Sequence, residues 1–274
     1  MDATGVYVSD SAETAAGFCA AGYDAVLLLG GEADASVFGR RCCDFQDGTL
    51  LFLTPQSALA AAPLIASRPV CRLLAFDPAR FRCTACGCAL GEYAFFHYDP
   101  CEMLHLSAGE RRIAVGCMAD IRRESDRKAD TFSCRVLARQ IGLLLDHCTR
   151  FYERQFITRS LVGRSLLARY ESFLARWIGE GNLRTQGLPP EPACAADLGL
   201  STAYFRSLLQ FETGLTPTEY VQRKRIETAR LLLSEAGLPV CEIASLLGFP
   251  SEQCFSRFLK KVTGLSLSEY RLPN

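Results

Sequence analysis

Residues 194–220 read CAADLGLSTAYFRSLLQFETGLTPTEY, and residues 243–270 read IASLLGFPSEQCFSRFLKKVTGLSLSEY. One pattern is written twice. Ala195 and Gly199 recur 49 positions later as Ala244 and Gly248, and from the second helix onward the offset is 50: Ser201/Ser251, Phe205/Phe255, Leu209/Leu259, Thr213/Thr263, Gly214/Gly264, Glu219/Glu269 and Tyr220/Tyr270. The added residue, Pro250, falls in the turn between two helices, where an insertion disturbs neither.

Each copy predicts a helix-turn-helix. The alanine allows close helix packing, the glycine supplies the positive φ that ends the first helix, and the serine can cap the second. Phe205, Leu208 and Leu209 in the first copy, and Phe255, Phe258 and Leu259 in the second, stand at i, i+3, i+4 and form a buried stripe. The rest of that second helix is left free to enter a groove of duplex DNA.

The stretch from about 165 to 271 resembles the DNA-binding domain of the AraC/XylS family of bacterial transcription regulators. The resemblance rests on Ile243-Ala244, Gly248-Phe249, Phe255-Ser256-Arg257 and the run from Gly264 to Tyr270-Arg271. Leu267 stands where that family usually has proline, whereas Pro217 keeps it in the first copy. The resemblance implies an α+β chain of two domains. Residues 1–158 would be a β-rich, cupin-like domain with helices for effector sensing and dimerisation, and residues 159–274 an all-α DNA-binding domain with two helix-turn-helix motifs. It further implies an activator that answers to a small-molecule effector, works with RNA polymerase on double-stranded DNA and forms a homodimer. The helix over 219–235 would be a rigid spacer, placing both reading helices in successive major grooves about 34 Å apart.

Position and chemistry then nominate contacts. In the first copy Thr202, Ala203, Arg206 and Ser207 project from the free face, and Arg206 can donate bidentately to guanine O6 and N7. In the second, Glu252, Gln253, Ser256 and Arg257 occupy the matching face; Gln253 suits adenine and Arg257 suits guanine or a phosphate. Lys224 and Lys260 are expected on phosphates. The plainer alternative is that each polar face is only solvated.

Charge alone does not point to DNA. The chain is neutral overall, and residues 160–274 hold 13 Lys and Arg against 11 Asp and Glu, a weak basic signal for a phosphate-binding surface. With 274 residues, 49% hydrophobic and 22% charged, the chain reads as globular and long enough for two cores. The start, MDATGVYVSDSAET, lacks a basic segment and apolar block, and no apolar run reaches a membrane span. These features predict a cytoplasmic protein with no membrane partner.

The first half predicts strands over 25–30, 36–38, 42–45, 49–53 and 71–76, with Asp47-Gly48 as a hairpin signal between the third and fourth. The stretch LLLGGEADASVFGRRCCDFQDGTLLFLTP resembles the cupin-like domain of AraC regulators. Helical periodicity follows over 107–125 and 132–154. In the latter, Val136, Leu137, Ile141, Leu144, Leu145 and Cys148 form a stripe that either pairs two subunits or packs within its own domain. Residues 155–163 read as a linker, 164–178 as the first helix of the second domain, and 179–192 as a turn-rich loop.

Chemistry beyond DNA reading has little support. The histidines His97, His105 and His147 avoid the strand region, and GxSxG, P-loop and dinucleotide motifs are lacking, so no enzyme, cofactor or metal is predicted. Fourteen cysteines read mainly as packed thiols. Cys83, Cys86 and Cys88 begin a CxxC without a second ligand pair, leaving a thiol- or metal-responsive regulator as one alternative. A small-molecule-binding protein without DNA activity is another. Phe76, Phe95, Phe96 and Tyr98 can line an apolar pocket or simply fill a core.

Overall fold

The computed structural model describes residues 5–10, 15–31, 40–66, 69–82, 93–162, 165–234, 238–267 and 269. They fall into two compact units, 1–163 and 164–274.

The first unit is built on one five-stranded antiparallel sheet. Its strands are β1 (Val6–Ser9), β2 (Asp24–Leu29), β3 (Gly48–Leu53), β4 (Val70–Phe76) and β5 (Leu104–Leu106), in the order β1-β4-β2-β3-β5. β2, β3 and β4 each hold a buried apolar stretch, Ala25–Leu29, Leu50–Leu53 and Leu73–Phe76, as strands covered on both faces do. On one face Ala25, Leu27, Leu29, Leu51, Leu53, Leu73 and Ala75 pack against α1 (Ala15–Ala20) and α2 (Ala58–Ala66). On the other, Phe52 and Phe76 meet Phe96 from a 3-10 turn at Ala94–His97. Here α3 (Pro78–Arg82) contributes Phe81. Two long helices, α4 (Ala108–Ser125) and α5 (Ser133–Val162), pack on each other and on the sheet edges.

Several expectations change here. A jelly roll needs about eight strands in two sheets, whereas the described residues form one open sheet with helices, so they do not make the cupin-like barrel. Residues 42–45 form a turn, not a strand: the Asp44 carboxylate accepts from the Arg41 amide at 2.9 Å and from Arg159 at 2.7 and 3.1 Å. Gly48 then opens β3, which pairs with β2 and β5. The strand expected over 36–38 lies outside the described residues.

The expected linker at 155–163 is helical as far as Val162. Gln155 explains why. It is wholly buried, accepts from the His105 amide at 2.8 Å and donates to the Met103 carbonyl at 3.0 Å. A side-chain amide thus completes the edge of β5 as another strand would. Most of the apolar stripe of α5 is committed internally: Leu137, Ile141, Leu144, Leu145 and Cys148 are buried within the unit and cannot pair two subunits, and Val136 is half-buried. Phe76, Phe95, Phe96 and Tyr98 are core residues as well, joined by Phe52 and Tyr152 in one aromatic cluster.

The second unit is all helical. It comprises α6 (Ser165–Gly179), α7 (Asn182–Thr185), α8 (Glu191–Leu198), α9 (Thr202–Thr213), α10 (Pro217–Ser234), α11 (Val240–Leu246) and α12 (Glu252–Thr263). Two small cores result. Tyr170, Phe173 and Leu174 of α6 pack with Cys194, Ala195, Leu198, Phe205 and Leu209. Leu183 of α7 packs with Ile243, Ala244, Leu247, Phe255 and Leu259. α10 serves both, with Tyr220 and Val221 in the first and Ala229 and Leu233 in the second. Trp177 touches both cores and donates from its indole to the Gly187 carbonyl at 3.1 Å.

Candidate nucleic-acid interface

The sequence repeat is a repeat of hydrogen bonds. Gly199 and Gly248 adopt φ of 70° and 73°. The amide after each glycine, from Leu200 and Phe249, donates at 2.9 Å to the carbonyl of the paired alanine, Ala195 or Ala244. Ser201 and Ser251 each accept from an amide three residues on, Tyr204 and Cys254, at 3.2 Å. At the far ends the Thr213 and Thr263 hydroxyls both donate at 2.7 Å to Leu209 and Leu259. Thr216 with Glu219, and Ser266 with Glu269, then close equivalent capping boxes. These local bonds satisfy helix-end groups that would otherwise be orphaned.

The caps fix which faces of α9 and α12 turn outward. Phe205, Leu208, Leu209, Phe255 and Leu259 are buried, and Phe258 is half-buried against Phe249, with ring centroids 5.1 Å apart. Thr202, Ala203, Ser207 and Ser256 are half-buried, while Arg206, Glu252, Gln253, Arg257 and Lys260 are exposed. Each set of four nominated residues therefore shares the outer side of its helix.

The basic residues fare differently. Arg206 Nε and Nη2 donate to Glu191 Oε2 at 3.1 and 2.5 Å. Lys224 Nζ lies 2.7 Å from Glu171 and 3.0 Å from Glu227. Two carboxylates already meet its charge, which makes it a poorer phosphate ligand than Lys260. Arg257, Lys260 and Lys261 carry none of the ion pairs found among the described residues.

Four residues escaped the sequence reading. Tyr204 is buried although its counterpart Cys254 is exposed. Leu183 anchors the second core from a stretch read as loop. Arg225, within the spacer, is buried: its Nε and Nη2 donate to the Leu247 carbonyl at 3.0 and 2.6 Å, and the Phe249 ring lies 4.0 Å away. Burial draws its pKa down to about 10, still far above neutrality, so a cation stitches α10 to the turn of the second pair. Glu191 is the fourth. Its only sequence signal was an acidic residue near a helix start, where it complements the helix dipole.

A match with a known family falls on this same unit. A helix-turn-helix domain family model matches residues 194–272. Residues 194–272 are thus similar to a helix-turn-helix domain. LumQ of Photobacterium leiognathi is 35% identical over 72 residues, covering 26% of this chain and 29% of that protein. The arabinose operon regulatory protein of Escherichia coli is 35% identical over 72 residues, covering 26% and 25%. The C-terminal domain of the response regulator yesN from Fusobacterium nucleatum is 26% identical, covers 37% of this chain and 97% of that one, and superposes with a TM-score of 0.31. The chain thus spans between 25% and 29% of the length of these two curated relatives.

Other candidate chemistry is thin. His105 is buried on β5 with Nδ1 3.2 Å from the Thr49 hydroxyl. Among the described residues no group of three metal-ligating side chains converges. The described cysteines are free thiols, and burial pushes Cys19 and Cys194 up to about 11, well above the range of a reactive thiolate. Cys83, Cys86 and Cys88 lie outside the described residues. No described helix is long and apolar enough to cross a membrane.

Proposed function

We propose that this protein is a cytoplasmic transcription regulator that reads double-stranded DNA with α9 and α12, while residues 1–163 sense a small-molecule effector. One observation carries the reading. Two helix pairs with matching caps and separate cores present equivalent outer faces, joined by a helix that is packed into both cores. At 18 residues α10 is roughly 27 Å long, comparable to one helical turn of duplex. The AraC-type domain and the operon-regulatory relatives support the same role. Thr202, Ala203, Arg206, Ser207, Glu252, Gln253, Ser256 and Arg257 would face base edges, and Lys260 a phosphate. A homodimer, if formed, needs a surface other than the α5 stripe, and action on RNA polymerase would follow DNA binding.

Selection of duplexes from a random library by the full chain tests this. The expected product is an enriched motif with two conserved blocks one helical turn apart. Absence of any enriched sequence at low salt would remove the DNA-reading function.

A further inference from the structure

We infer that Glu191 is a positioning residue for sequence recognition: it holds the Arg206 guanidinium edge-on, so that the first helix pair supplies the sharper discrimination and the second more of the affinity. The inference rests on the DNA-reading function proposed above.

A guanidinium has two edges able to make paired hydrogen bonds. Glu191 Oε2 takes Nε and one Nη2 hydrogen, at 3.1 and 2.5 Å. The Nη1/Nη2 edge is left over, and it matches guanine O6 and N7. The contact spans fifteen residues and joins the first turn of α8 to α9. It is therefore made by the packing of the pair and not by spacing along one helix. Glu191 is the less exposed partner, its side chain 27% accessible against 58% for Arg206, as a buttress behind a reading group should be. Fixing a flexible side chain beforehand lowers the ordering cost on binding.

The second pair lacks this device. At the offsets of 49 and 50, Glu191 corresponds to Val240 and Cys241, neither of which accepts a charged hydrogen bond. Arg257 is exposed and has no such ion pair to orient it. Charge divides the same way: α9 carries Arg206 and Glu212, whereas α12 carries Arg257, Lys260 and Lys261 against Glu252. A neutralised, oriented arginine contributes little counterion release but much selectivity, and three unpaired cations do the reverse.

The test uses the full chain, its selected duplex, variants of that duplex at each G·C pair, and an unrelated duplex. Arg206→Ala identifies the pair it reads as the one whose substitution no longer matters. Glu191→Ala is then expected to lower discrimination at that pair about 5- to 20-fold, out of the roughly 10- to 100-fold carried by one bidentate arginine contact. It should also steepen the salt dependence by up to about one phosphate contact, since a cation has been released. Glu191→Gln, which keeps an acceptor without charge, should fall between. A merely structural role for Glu191 would weaken all duplexes alike and leave the salt slope unchanged. Undiminished discrimination in both Glu191 variants overturns the inference while leaving DNA reading intact. Failure of the unsubstituted chain to prefer any duplex overturns both.

Discussion

The two helix pairs share their caps, turn bonds and capping boxes almost bond for bond, yet they are supported from behind by different means. The first leans on α6 through Tyr170, Phe173 and Leu174, and its surface is laced by Arg176 to Asp197 and Arg206 to Glu191. The second has a short helix, α7, pressed into its turn, and the buried Arg225 bonded to that turn. Duplication therefore conserved what the local chain determines by itself. What each copy receives from the rest of the unit diverged. Local bonds depend on residue type at fixed spacing, so a repeat carries them over; tertiary supports depend on a neighbour that only one copy has.

The turn glycines break this comparison most forcefully. Both need the left-handed region, so alanine at either costs about 1–2 kcal/mol in backbone conformation. At Gly199 an added Cβ meets nothing within 4 Å, but at Gly248 it would lie 2.3 Å from the Leu183 carbonyl oxygen. Gly248→Ala should therefore destabilise by about 1–3 kcal/mol more than Gly199→Ala, the usual cost of overpacking. Urea unfolding followed by the fluorescence of the single tryptophan, Trp177, reports both cores at once. Equal midpoints for the two variants would mean that α7 does not brace the second turn.

DNA binding sharpens the contrast at the outer faces. Arg257→Ala should cost about 1–3 kcal/mol on the selected duplex. Lys260→Ala should weaken binding to every duplex and reduce the salt slope by about one. Lys224→Ala should do much less, because its ammonium is already engaged by Glu171 and Glu227. Gel-shift titrations between low and physiological salt measure all three. A slope change for Lys224 as large as that for Lys260 would place the spacer helix on the phosphates.

Removing the caps asks whether the copies are as alike as their geometry. Ser201→Ala and Ser251→Ala each delete one hydrogen bond to a helix-end amide, at 3.2 Å in both, and should each cost about 1 kcal/mol. Matching losses in urea unfolding would agree with a duplicated local device. A loss at only one serine would show that tertiary support makes the other cap redundant.

The same split between local and tertiary determinants governs what could be read in advance. The helix pairs were legible because Gly199, Gly248, Ser201 and Ser251 act within a few residues. β2, β3 and β4 were legible from their apolar stretches, Ala25–Leu29, Leu50–Leu53 and Leu73–Phe76, since a strand segment covered on both faces has no polar side to show. β1 and β5 are only four and three residues long and carry no pattern. The end of α5 read as a linker because Gln155 and Arg159 look like solvent-facing residues until Met103, His105 and Asp44 are seen to face them. Leu183, Arg225 and Glu191 share that property. Their roles are defined by partners 15 or more residues away in the chain, which no local spacing encodes.

Acid provides the smallest and most selective probe of the first pair's support. The Lys224 hydrogen bond comes first among the influences that hold the Glu171 and Glu227 carboxyls below their usual range; Tyr220 adds to it for Glu171, and Arg223 for Glu227. A depressed carboxyl pKa means that the unfolded chain binds protons more readily. The stabilisation is therefore complete above the unfolded value near 4.5 and is lost as pH falls through the folded one. Both side chains are over a third exposed, at 43% and 41%, so solvent screening holds the contribution to a few tenths of a kcal/mol. Lys224→Ala should accordingly lower stability slightly at pH 7, by an amount that shrinks as pH falls below 4.5 and through the depressed folded values. Lys260→Ala, which breaks no ion pair and removes only the last-ranked influence on the exposed Glu269 carboxyl, should change stability less than Lys224→Ala at pH 7. A Lys224 effect that persists unchanged in acid would show that its aliphatic stem, and not its charge, supports α6 against α10.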